Sequence, residues 1–213
     1  MLVKADTDQI MNQLRVELIG VSDALLRSMM FDVMTEFFND SSSWYEWIEI
    51  AAQPDVKTYD VAPTEGQIIR LDGVCKADGT YVGALMPTIG VVEVRHAPNQ
   101  AEQWFAKLIK NVVLPTGKDQ YPIAPDWVLK QWHNTIKEGI LGNLMNQKSK
   151  SWSDSKGALY HLSRFRKGIN DARVSTLRAN THGAQAWRFP QSFRVRTQQG
   201  GVPSFAGTDR TFR

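Results

Sequence analysis

Cysteine is almost absent from these 213 residues: Cys75 is the only one, and a single thiol cannot close an internal disulfide. That usage fits a reducing compartment and excludes both a disulfide scaffold and a Cys-rich zinc site. Long apolar runs are missing too, since none approaches the roughly 20 residues that cross a bilayer. The opening MLVKADTDQI lacks the apolar stretch of a secretory leader. The expectation is a soluble protein assembled inside a cell, with no membrane partner. No internal repeat and no low-complexity block appears.

Catalytic signatures are equally scarce. The four histidines, His96, His133, His161 and His182, form no HExxH, and no GxSxG, GxxxxGK[ST] or GxGxxG occurs. LPTGKDQ has a Gly-Lys pair without the upstream glycine of a phosphate loop. His133 and Glu138 stand five apart, which places them on different faces of a helix. Cys75 sits in a turn-rich segment with no base beside it. The sequence therefore predicts no enzyme, no metal ligand set and no cofactor.

What is present begins with charge. The formal net charge of +3 is mild, whereas a protein that mainly coats phosphates carries a larger excess. The distribution is uneven. From Lys148 onward thirteen Lys and Arg stand against three Asp and Glu, so residues 1–147 have seven more acids than bases. A chain acidic in front and basic behind carries complementary surfaces for neighbouring subunits or partners.

The element pattern changes along the chain. In GVSDALLRSMMFDVMTEFFND, Ser22 is an N-cap, Asp23 suits the first turn, and Leu26, Met29, Met30, Val33, Met34 and Phe37 form one apolar stripe. From Lys57 to about Leu114 short β-branched runs alternate with Gly, Pro and an Asp78-Gly79 hairpin signal. AEQWFAKLIKNVVLP fits a helix by its apolar spacing and a strand by its end; its neighbours favour the strand. PDWVLKQWHNTIKEGILGNLMNQ restores the helical period, with Val128, Trp132, Ile136, Ile140 and Leu144 stepping by four. Gly139 and Gly142 weaken that helix, which suggests close approach of another. A further helix begins near Ser153 or Asp154 and buries Ala158, Leu162, Phe165, Ile169 and Ala172.

These elements predict an α+β fold. A helical bundle, made of a long helical hairpin plus an N-terminal helix, carries a β-rich insertion and an extended C-terminal arm. The boundaries are 1–56 for the N-terminal helical part, 57–114 for the insertion, 115–183 for the hairpin and 184–213 for the arm. The arm has no helical period but keeps Trp187, Phe189, Phe193, Phe205 and Phe212, with Arg188, Arg194 and Arg196 between them. Disordered tails are poor in aromatics, so these read as anchors. Phe193, Val195 and Thr197 alternate with Arg194 and Arg196, as a strand added to a partner would. On the preceding helix Arg164, Arg166, Lys167, Arg173 and Arg178 fall between the apolar positions and form the outer face. That face reads as a solvated surface or as a surface for nucleic acid, the second using the region from Lys148 to Arg196. No recognisable nucleic-acid module accompanies it.

The order of motifs resembles the head-to-tail adaptor (connector) proteins of short-tailed and related tailed bacteriophages. GVSDALLRSMMFDVMTEFFNDSSSWYEWI matches their G-x-x-D start and aromatic helix end, and YDVAP and ADG match their β-rich part. PDWVLKQWHNTIKEGILGNLM and SWSDSKGALYHLSRFRKGINDAR match the closing helices, with Ser151 where the family pattern carries proline. The resemblance spans roughly Leu14 to Arg178. It implies a virion protein without catalytic residues, made in the host cytoplasm and placed at the capsid–tail junction. There a homo-oligomeric ring, usually of twelve copies, docks on the portal protein, receives a tail or nozzle protein and lines the DNA channel with transient, non-specific contacts to the genome. It also implies that the arm residues Trp187, Arg188, Phe189, Phe193, Arg194, Arg196, Phe205 and Phe212 touch the portal. Arg164, Arg166, Lys167 and Arg173 would then face neighbouring subunits or the channel.

Overall fold

The computed structural model describes residues 7–113, 122 and 124–179. They form a mixed α+β fold with four helices and two antiparallel sheets among the described residues. The first helix, α1 (Thr7–Glu17), was not expected from the sequence. It buries Ile10, Met11 and Leu14, whose spacing places them on one face. Arg15 grips Asp23 with two hydrogen bonds of 3.0 and 2.8 Å and so sets the corner between α1 and α2 (Asp23–Ser41). Ser22 caps α2 as predicted, its hydroxyl accepting from the Leu25 N–H. Ser42 ends the helix in the left-handed region, φ 54°, and donates its N–H to the Phe38 carbonyl.

Three residues later the chain is already a strand. β1 (Tyr45–Ala52) lies inside the segment read as N-terminal and helical, so the sheet starts earlier than the sequence texture suggests. The other strands are β2 (Thr58–Asp60), β3 (Gln67–Lys76), β4 (Tyr81–Val82), β5 (Ala84–Thr88), β6 (Val91–Val94) and β7 (Glu102–Asn111). One sheet has the order β1-β7-β3-β4 and the other β2-β6-β5. The Asp78-Gly79 turn joins β3 to β4, with Gly79 at φ 84° and the Asp78 carboxylate accepting from the Thr80 N–H. Residues 102–111 are a strand, as their neighbours favoured. The two sheets face each other through Ile50, Ile68, Val74, Trp104, Ala106 and Leu108 on one side and Val92 and Val94 on the other.

β1 is an edge strand, and its register shows which backbone groups are unused. The Lys110 N–H donates to the Trp44 carbonyl at 2.8 Å, and the β1–β7 register continues in step from Tyr45↔Ile109. Hydrogen bonding alternates along an antiparallel pair. Glu46, Ile48, Ile50 and Ala52 therefore bond β7, while the N–H and C=O groups of Tyr45, Trp47, Glu49 and Ala51 point away from it. No backbone bond reaches those four from the described residues.

The helical side has its own core. Val33, Met34 and Phe37 of α2 meet Ile136, Ile140 and Leu144 of α3 (Asp126–Met145) and Phe165 and Ile169 of α4 (Ser155–Ala179). The glycines of α3 do permit close approach. A Cβ on Gly139 would stand 2.6 Å from Val33 and 2.9 Å from Phe165, and one on Gly142 would stand 2.7 Å from Leu162. Asn111 links the two cores: its side-chain amide donates to the Thr35 carbonyl and to Asn39 Oδ1 on α2, at 3.3 and 3.1 Å.

Candidate functional site

The sequence points to α4, so the site is built from that helix outward. Asp154 starts it, its carboxylate accepting from the Lys156 N–H at 3.1 Å. Ala158, Phe165, Ile169 and Ala172 turn inward, which leaves Arg164, Arg166, Lys167, Arg173 and Arg178 exposed as expected. They do not form one continuous face. At 100° per residue, Arg166 and Arg173 fall on one flank of the buried stripe, and Arg164 and Lys167 on the other.

On the first flank a cleft of about 530 Å³ opens between α4 and α2. Arg166 and Arg173, with Arg70 from β3, face Glu36 and Asp40 of α2 across it. Arg70 donates to the Ser42 hydroxyl at 2.5 Å, which anchors it at the end of α2. The Glu36 carboxyl is pushed above its ordinary range by burial and by the Asp40 charge, against the pull of Arg166. A carboxylate so placed gains from any further cation brought into the cleft.

On the second flank a cleft of about 350 Å³ lies between α3 and α4, where Arg164 and Lys167 meet Glu138 and Asp171. Glu138 is the notable group, because it is a carboxylate only 8% exposed in the middle of α3. Its partners come from the next helix. His161 Nδ1 sits 2.5 Å from one oxygen and Arg164 Nε 3.3 Å from the other. Arg164 also donates to the Tyr160 hydroxyl at 2.8 Å and lies 5.5 Å from that ring. Sequence spacing correctly separated Glu138 from His133, which pairs with Gln13 instead, at 3.0 Å. It missed His161, because a contact 23 residues away depends on the turn between helices.

The remaining candidates are simply placed. Cys75 is half-buried and directs its sulfur at the Phe105 carbonyl at 3.8 Å. His96 is exposed on the loop after β6. No group of His, Cys, Asp and Glu among the described residues is arranged to hold a metal ion. No helix among them is long and apolar enough to cross a membrane. The arm residues Trp187, Arg188, Phe189, Phe193, Arg194, Arg196, Phe205 and Phe212 lie outside the described residues, as does His182.

The site is thus two clefts of mixed sign along one helix, suited to binding by ion pairs and hydrogen bonds. No family profile matches the chain, and no curated protein matches it significantly.

Proposed function

We propose that this chain is a non-enzymatic structural protein of a phage virion, a head-to-tail adaptor whose copies form a ring between portal and tail. In this reading the helices make the bundle that forms the ring wall, the two sheets are its β-rich insertion, and the arm from residue 184 docks on the portal. The motif order supports it. The observation that carries it is the sign pattern around α4. Five cations, Arg70, Arg164, Arg166, Lys167 and Arg173, share their two clefts with four carboxylates, Glu36, Asp40, Glu138 and Asp171. A phosphate backbone laid there would meet nearly as much repulsion as attraction, whereas a protein neighbour with alternating charges gains register from the same pattern. DNA passing through such a ring would touch arginines without being held by them.

The test is the mass of the full chain alone and after mixing with the cognate portal ring, read by mass photometry. The expected result is a discrete complex with one adaptor added per portal subunit. Absence of a complex, together with submicromolar duplex binding that falls steeply with salt, would overturn the reading and assign Lys148 to Arg196 to nucleic acid.

A further inference from the structure

We propose that the free edge of β1 receives the segment Phe193–Thr197 from a second copy of this chain, which adds to the sheet as a fifth strand. The edge is the first part of the argument. Natural sheets protect their edges with proline, bulges, short strands, a covering loop or charged side chains. Of the two charges on β1, Glu46 is held by Lys110 and Thr64, which leaves Glu49. β1 runs for eight residues, contains no proline and pairs with β7 without a register shift. Its outward groups, at Tyr45, Trp47, Glu49 and Ala51, lack a backbone partner among the described residues. Beside them Trp47 is 46% exposed. This edge is a template for another strand.

The second part is which strand fits. Paired residues in a sheet place their side chains on the same face. On β1, Ile48 and Ile50 belong to the layer between the sheets, while Trp47 and Glu49 face outward. An occupant must therefore alternate apolar residues toward Ile48 and Ile50 with residues suited to an indole and a carboxylate. FRVRT has that alternation. In an antiparallel register Phe193 lies beside Ile50 and Val195 beside Ile48, which extends the apolar layer. Arg194 then falls opposite Glu49, and Arg196 opposite Trp47, an ion pair and a cation–π contact. A symmetric pairing of two β1 edges fits worse, because β1 contains no Lys or Arg to set against the Glu49 of the other copy. The inference takes Phe193–Thr197 out of the portal contact and leaves the rest of the arm to it, and it is tested on this chain alone.

Residue-resolved amide exchange on the full chain tests it. The Trp47 and Glu49 amides are expected to slow at least about tenfold as chain concentration rises, or when excess peptide SFRVRTQ is added. The Ile48 and Ile50 amides, already bonded to β7, are expected to stay as they are. Glu49→Arg should weaken peptide binding about threefold or more, and a peptide carrying Arg194→Glu should restore it. Exchange at Trp47 and Glu49 that is fast at every concentration overturns the proposal. So does protection that persists in the full-length Arg194→Glu chain, which would indicate pairing of β1 with β1 instead.

Discussion

Gly139 poses a choice between two effects of opposite sign. Alanine there would gain about 1 kcal/mol of helix propensity. Its Cβ would also enter the space of Val33 and the Phe165 ring, both buried and hemmed in by the core. Overpacking of that kind costs about 1–3 kcal/mol, so Gly139→Ala is expected to lower the urea midpoint rather than raise it. Glu46 allows a second prediction of defined sign. Burial opposes its charge, but hydrogen bonds from Thr64 and the Lys110 ammonium at 2.9 Å outweigh it and hold the carboxyl below its ordinary value of 4.5. A depressed carboxyl contributes stability above its unfolded pKa and loses it as pH falls through the folded one. Wild type is therefore expected to exceed Glu46→Gln in stability at neutral pH. The gap should close as pH falls below about 4.5, in denaturant titrations across that range. Of these residues the sequence marked only the glycine, because a glycine inside a helical period is visible without knowing its neighbour. Glu46 and Glu138 owe their roles to partners 64 and 23 residues away.

At the scale of elements, legibility followed the number of faces buried. α2, α4 and the first half of α3 each bury one stripe, and their periods, the cap at Ser22 and the start near Asp154 were readable. β7 buries both faces between β1 and β3 from Ala106 onward, which erases the two-residue alternation and mimics a helix. β1 carried a signal that went unread, the alternation Ile48-Glu49-Ile50, because the Ser-rich end of α2 leads straight into it. α1 was missed although Ile10 and Leu14 recur at four and Leu18 follows just past its end, since the helix is short and polar. In the candidate site, the identity of the basic residues was legible and their division between two clefts was not. That division depends on α2 and α3 standing on either side.

At the scale of the molecule, both hydrophobic cores draw, among the described residues, on residues from Ile10 to Ala172. At a concentration low enough to keep copies apart, a chain ending before Ala186 is accordingly expected to melt within about 2 °C of the full chain, while losing the complex with the portal ring. Retained docking by that truncation, measured by the same mass assay, would remove the arm from the adaptor reading. The bond from Lys110 to Trp44 has a further consequence. Since β1 leaves the helices and β7 returns to them side by side, the chain between them enters and leaves through one closed neck. The sheets are in that sense an exchangeable cartridge. Their distant turns can be lengthened, shortened or replaced while the two chain ends at the neck, and hence the helices they plug into, keep the same spacing.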